Sequence, residues 1–439
     1  MRVLIAALGS HGDLLPFIGI AQVLRDRGHA VRIYSNGHYA DLVRGAGLTF
    51  VQTSEARLLR DAFADPRAVQ TRAGMQLIAE GIAGSLLPTY QAMAQDVVAG
   101  HTLLVGSTLA FAAQLLAETQ GLPFAVVHLS PSVFRSLHDT PRLDAGTTLQ
   151  HLPHWLKRAA FAAADRWFLD PLLAAPLNAI RVPMGLPPVR RVMHGWIHEA
   201  DLTVGLFPRW FAALQPDGPP DVLLAGFPLH DGGDEPMPEL EPGSALQAFF
   251  DEGPAPVVFT AGTANTQSQA FYAVSAAACA QLGLRAVLVA GRRDQLPAQL
   301  PPGVIHVQFA PFSWMFSRAA LVVHHGGIGT LSQALAAGVP QLIRPMAYDQ
   351  FDNAQRACRL GVARELLPAD YRLPALTHRL SAMLGDAAVR DRCAALAARL
   401  AQGDALATVS DALEACFAAS AVRHGRVQPA STGQRVEGR

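Results

Sequence analysis

The chain has 439 residues, half of them hydrophobic and 16% charged, which excludes a disordered chain and allows two domains with separate cores. Lys plus Arg and Asp plus Glu both number 35, so the formal net charge is zero and the basic excess of a general nucleic-acid binder is missing. Four cysteines, Cys279, Cys358, Cys393 and Cys416, have no CxxC spacing; they read as reduced, mostly buried thiols of a cytoplasmic protein, with no zinc site expected.

The opening MRVLIAALG runs into polar Ser-His-Gly-Asp without a cleavage-type ending, so it reads as a first buried strand and not as a signal peptide. No later run reaches the roughly 18 apolar residues of a membrane span. The apolar content leaves room for peripheral contact with the inner face of a membrane. Short apolar runs then alternate with helical patterns: 2–8, 30–35, 47–52, 102–107, 123–129 and 201–207. After a stretch rich in Pro, Gly and acid at 215–243, the alternation restarts at 256–262, 285–291, 304–309, 321–325 and 340–345. Continuous apolar strands separated by helices predict parallel sheets covered on both faces. The expected division is 1–215 for an acceptor-side domain, 216–243 for a linker and 244–403 for a nucleotide-side domain. A helix at 404–420 is expected to pack back on the first domain, with a disordered tail at 421–439. Loops beyond the carboxyl ends of the strands would then meet in one cleft.

Three such loops carry chemistry. "ALGSHGDLLPF" (7–17) sets His11 and Asp13 in a glycine-bracketed turn before a helix expected to open near Pro16. It lacks the GxGxxG and ribose acid of a nicotinamide-binding turn. Asp13 reads either as a first-turn acid favouring the helix dipole or as a chemical group. "VHHGGIGTLSQALAAGVP" (323–340) ends a strand at His324 and opens a helix near Thr330. Its exposed N–H groups and His324 suit a pyrophosphate, though the glycines could equally serve close packing. "RPMAYDQFDNAQR" (344–356) places Asp349 and Gln350 side by side, a pair able to bind vicinal hydroxyls.

The order of FTAGTAN (259–265), FAPF (309–312), HHGGIGT and DQFDN resembles the nucleotide-binding half of family-1 nucleotide-sugar glycosyltransferases. GSHGDLLPF resembles the first loop of their bacterial members, so the likeness spans most of the chain. LSPS (129–132), LFPRWFA (206–212) and GFPLHDG (226–232) look like the bacterial rhamnosyltransferases of rhamnolipid synthesis. The resemblance implies the α/β GT-B fold, two Rossmann-like domains facing a cleft. It implies inverting transfer, with L-rhamnose from dTDP-rhamnose going to the hydroxyl of a 3-(3-hydroxyalkanoyloxy)alkanoate-like lipid, and leaves room for a partner enzyme that makes that lipid.

In that frame Asp13 is the base. His324, Gly326, Gly327, Gly329, Thr330 and Thr263 bind the donor phosphates, and Asp349 and Gln350 bind its sugar, with Asn353 supporting their loop. Phe309, where many members have Trp, and Ala310 meet the base, and Phe312 replaces the Gln usual in plant enzymes. His11 is a turn residue or an acceptor contact, and Phe134, Trp155, Trp167 and Phe168, with the apolar 75–90 segment, are candidate acceptor contacts or ordinary core. No paired-acid DxD motif is present, and Asp231 and Asp234 have the wrong spacing, so the expected chemistry needs no metal and no cofactor beyond the nucleotide sugar. A UDP-glucose-dependent transferase acting on a sterol, macrolide or flavonoid is the second reading. A non-catalytic nucleotide-sugar-binding subunit is the third.

Overall fold

The protein is described by a computed structural model covering residues 1–146, 149–232, 244–263 and 265–423. The first apolar run forms β1 (Arg2–Ala6), followed by β2 (Ala30–Asn36), β3 (Thr49–Ser54), β4 (Thr102–Ser107), β5 (Phe124–His128), β6 (Leu202–Gly205) and β7 (Val222–Leu224). They build one parallel sheet in the order β3-β2-β1-β4-β5-β6-β7. Its helices are α1 (His11–Asp26), α2 (Ala40–Gly45), α3 (Ala56–Ala64), α4 (Thr71–Gln95), α5 (Phe111–Gln120), α6 (His154–Ala164) and α7 (Asp170–Arg181). A five-residue π-helical turn, Asp165–Leu169, joins α6 to α7.

The second half repeats the plan. Here β8 (Val257–Thr260), β9 (Ala286–Val289), β10 (Val304–Val307), β11 (Leu321–His324), β12 (Gln341–Ile343) and β13 (Ala363–Glu365) form a parallel sheet ordered β10-β9-β8-β11-β12-β13. Its helices are α8 (Ala245–Asp251), α9 (Gln269–Leu282), α10 (Phe312–Phe316), α11 (Ile328–Ala336), α12 (Gln350–Arg359), α13 (Leu373–Leu384) and α14 (Ala387–Leu400). The chain reverses direction across each sheet between β1 and β4 and between β8 and β11. Such a reversal opens a crevice at the strand ends, and the loops after β1, β8 and β11 are the ones singled out from sequence.

The last helix, α15 (Ala405–Arg423), leaves the second half and packs on α1. Val409, Leu413 and Cys416 sit in the same core as Val3, Ile5, Phe17 and Ile20. Burying each large apolar side chain contributes about 1.5–3 kcal/mol. The exposed ion pairs of Arg27 with Asp411 and Glu414 add little beside that. The outgoing and returning segments run side by side: a Cβ on Gly226 would lie 3.5 Å from Ala405, and one on Gly19 of α1 would lie 3.1 Å from both His230 and Leu406.

A strap from the loop after β5 docks on α12. Arg142 pairs with Glu365 (2.9 Å), Arg356 bridges Asp139 (2.6 Å) and Asp352 (2.7 Å), and Gln150 donates to Gln355 (2.8 Å).

Several expectations change. Two of the four edge strands, β7 and β13, escape the sequence reading, and β7 lies inside the stretch assigned to the linker. Only three residues long, it is drawn into register by β6, while flanking Pro, Gly and acid dominate its composition. Helix α1 opens at His11 and not near Pro16, because Ser10 caps it; α11 opens at Ile328. The linker residues 233–243 and the tail beyond Arg423 lie outside the described residues. Among the described residues no helix is long and apolar enough to cross a membrane.

Candidate active site

The mouth of α1 is built around Asp13. Ser10 is the N-cap, and Asp13, in the first turn, accepts from the Ser10 N–H (2.7 Å) and hydroxyl (2.9 Å). Gly9 turns the chain at φ +134°, and a Cβ there would collide with the Asp13 carboxylate, so glycine is required for the acid to sit where it does. Burial pushes the Asp13 carboxyl up, and the Ser10 hydrogen bonds partly offset that. His11 stands edge-on to His38 (5.6 Å) and Tyr39 (4.9 Å). Burial, reinforced by His38, holds it down to about 4, so it is neutral near pH 7, and its Nδ1 has no partner.

Opposite lies the mouth of α11. A Cβ on Gly329 would sit 4.0 Å from the Gly12 backbone, so the two helix openings face each other. Gly327 is the N-cap of α11, and no side chain caps it. The first-turn N–H groups of Ile328, Gly329 and Thr330 are therefore available to an anion. Gly326 is held at φ +90°, where a Cβ would press within 2.8 Å of Ile343.

The histidine assignment is corrected here. His324 is 0% exposed, accepts from the Gly326 N–H at Nδ1 (3.1 Å) and so donates from Nε2 to Gln341 (2.9 Å). Both ring nitrogens are spent inside the fold, leaving none for a phosphate. His325 is the ring in the loop. It packs against Gly262 and Gly327, which must both lack a Cβ to admit it, and its buried Nδ1 has no partner. Burial lowers its pKa to about 4, so it is neutral.

The turn after β8 holds exposed Thr263 beside Asn265, whose buried Nδ2 is also unpartnered. After β12, Arg344 lies over the Phe271 and Tyr371 rings with Nε unpartnered. Buried polar groups are ordinarily paired, so this concentration of idle nitrogens at strand ends marks the cleft. Sequence reading missed His325, Asn265 and Arg344. The parity of β11 was the available signal: His324 is its last inward residue and His325 the first of the loop.

Asp349 is the N-cap of α12. Asn353, fully buried, donates to Asp349 (2.9 Å) and to the Gly326 carbonyl (3.1 Å) and accepts from Ser130 (3.4 Å). One amide thus ties together the acid, the glycine loop and the strand end of the other half. Burial, and to a smaller degree the charge of Asp13, raises Asp349 to about 6. Gln350 turns its carbonyl back onto the Met346 (2.8 Å) and Ala347 (3.3 Å) N–H groups, so only its NH₂ remains for a ligand.

Phe309 is 50% exposed, a ring free to stack, whereas the Ala310 side chain is buried and only its backbone can serve; Phe312 stacks on Phe316 (4.4 Å). Phe134 stacks on His198 (5.3 Å), and Arg72 covers Phe168. Trp155 and Trp167 are 70% and 74% exposed, which rules out the core reading for both. The 75–90 segment does border an apolar recess, with Ile82, Ser85 and Leu86 facing Leu8 and Leu109. Asp231 accepts from the Ser313 N–H (2.8 Å), and Asp234 lies outside the described residues.

Residues 3–138 match the glycosyltransferase family 28 N-terminal domain, and residues 279–416 match the erythromycin biosynthesis protein CIII-like C-terminal domain. The chain is a nucleotide-sugar glycosyltransferase of the GT-B type. The O-mycaminosyltylonolide 6-deoxyallosyltransferase of Streptomyces fradiae is 29% identical to this glycosyltransferase, covering 95% of the chain and 96% of the relative. The structure of the kitacinnamycin glycotransferase superposes with a TM-score of 0.71 at 21% identity, over 95% and 99% of the two chains. Spinosyn rhamnosyltransferase SpnG, solved with thymidine diphosphate, gives 0.66 at 20% identity over 94% and 100%.

Proposed function

We propose that this glycosyltransferase moves L-rhamnose from dTDP-rhamnose to the hydroxyl of a hydroxyacyl lipid, with inversion and without a metal. The observation carrying the chemistry is the pairing of two helix openings. One holds its own carboxylate, and the other is left uncapped beside a neutral histidine. Asp13 accepts the proton of the acceptor hydroxyl as that oxygen attacks the anomeric carbon. The bond to the diphosphate breaks on the opposite face, and the nucleotide leaves with the electron pair. Growing charge on the leaving group meets the α11 N–H groups, His325 and Asn265, neutral donors already in place before reaction. Asp349 and the Gln350 NH₂ hold sugar hydroxyls, Thr263 assists the phosphates, and Phe309 stacks on the base.

A thymidine nucleotide in a related fold supports the donor. The likeness of LSPS (129–132), LFPRWFA (206–212) and GFPLHDG (226–232) to rhamnolipid rhamnosyltransferases supports the acyl acceptor. A second reading, transfer to a macrolide-type aglycone, is favoured by the likeness to the O-mycaminosyltylonolide 6-deoxyallosyltransferase of Streptomyces fradiae. A metal-free transfer assay read by mass spectrometry separates them. It offers dTDP-rhamnose and UDP-glucose in turn to a 3-(3-hydroxyalkanoyloxy)alkanoic acid and to a macrolide aglycone. A deoxyhexose adduct of the lipid from dTDP-rhamnose is the expected product. An adduct only on the macrolide overturns the lipid reading and leaves the donor site intact.

A further inference from the structure

We infer that the outer face of the helix running from α6 through the π-helical turn into α7 docks on an anionic lipid surface. The exposed positions of its first half are His154, Trp155, Arg158, Ala159, Ala162, Arg166 and Trp167, and the exposed positions of α7 that follow add no charge. A helix face kept in water ordinarily carries acids and bases together. This one carries no acid. The two aspartates of the helix turn inward: Asp165 is 1% exposed and pairs with Arg135 and Arg191, while Asp170 accepts from the Arg191 and Val192 N–H groups. Arg158 and Arg166 have no acidic partner among the described residues.

Trp155 and Trp167 lie about 18 Å apart along the axis, at 1.5 Å per residue. Indole rings flanked by arginines on one face are the composition of helices lying in the headgroup region, where the ring sits at the apolar boundary and the cation meets phosphate. The charge pattern selects this occupant over a second copy of the chain. Two such faces packed together would set arginine against arginine, with no acid to separate them. The position fits as well. Helix α7 packs on α4, and α4 borders the apolar recess beside β1. Docking here would bring that recess toward the membrane. Its purpose rests on the lipid-acceptor reading, but the binding itself does not.

The test is flotation of the full-length protein with vesicles of mixed phosphatidylglycerol and phosphatidylcholine, and with phosphatidylcholine alone. Binding is expected to the anionic vesicles and to weaken as salt rises. Arg158→Ala and Arg166→Ala should each cost about fivefold, and Trp155→Ala and Trp167→Ala each roughly tenfold. Unchanged dTDP affinity in the same variants confirms an intact fold. In the unaltered protein, brominated lipid should quench tryptophan fluorescence. Failure to float, equal binding by the tryptophan variants, or absence of quenching overturns the inference. So does a concentration-dependent dimer that Trp155→Ala/Trp167→Ala abolishes. A protein that floats but fails the transfer assay with the lipid acceptor would instead sink the acceptor reading alone.

Discussion

The mouths of α1 and α11 are the same device used in opposite ways. Each follows an inner strand of a parallel sheet at the point where the strand order reverses, each depends on glycine, and each points the positive end of a helix into the cleft. At α1 the chain answers that positive end itself: Asp13 caps the turn and places a carboxylate there. At α11 no side chain does so, and the nearby histidine is neutral with an idle nitrogen. The difference teaches where the ligand's charge belongs. On the proposed reading, the diphosphate goes to the uncapped end, and the capped end serves a proton acceptor beside a neutral hydroxyl.

The largest expected effect breaks the capped end. Asp13→Ala should lower turnover by roughly 10²–10⁴, with dTDP affinity unchanged by calorimetry; near-normal turnover would remove Asp13 as the base. The next pair of changes divides two adjacent histidines. His325→Ala should weaken dTDP binding roughly tenfold to hundredfold at unchanged stability, as loss of a bond to a charged group does. His324→Leu should show the reverse, leaving Gln341 Oε1 and the Gly326 N–H unpaired at about 1–3 kcal/mol each in urea unfolding. If His324→Leu loses only binding, the corrected assignment fails.

A third test uses pH. Asp349 is raised from 3.8 to about 6 in the folded protein, so the native state holds its proton more tightly than the unfolded chain. This group's contribution to stability therefore declines as pH rises from about 4 through about 6, and it is most favourable below that window. Between about pH 4 and 6 the urea midpoint should fall less with rising pH in Asp349→Asn, which lacks the titration, than in the unaltered protein; identical pH dependence in the two proteins would contradict it. Phe309→Ala is the smallest change, costing roughly two- to tenfold in dTDP affinity if its ring stacks on the base.

Much of the fold was legible because its strands are buried on both faces and read as unbroken apolar runs, as in VLIA of β1 and LVV of β11. Two of the four edge strands, each only three residues long, were not legible. Val222–Leu224 and Ala363–Glu365 take their strand character from a neighbour, a property that local sequence does not carry. In the site, motif order located loops that the fold brings together at the cleft, but it could not say which histidine of HHGG keeps an unpartnered ring nitrogen. That choice depends on where β11 stops, and on Gly262 in a distant segment leaving room for the ring. Trp155 and Trp167 show the converse limit: composition suggested core or acceptor groove, and only the helix phase reveals that they face outward.

The return of α15 has a mechanical consequence. Residues 226–230 leave the first half exactly where 405–406 re-enter it, both against Gly19 of α1. A single covalent crossing would act as a swivel, leaving three rotations open to the two halves. Two crossings side by side act as the pin of a door, retaining one rotation and resisting twist and slide. The capped and uncapped helix openings are therefore held in one register by the chain path itself, which crosses twice at the same place.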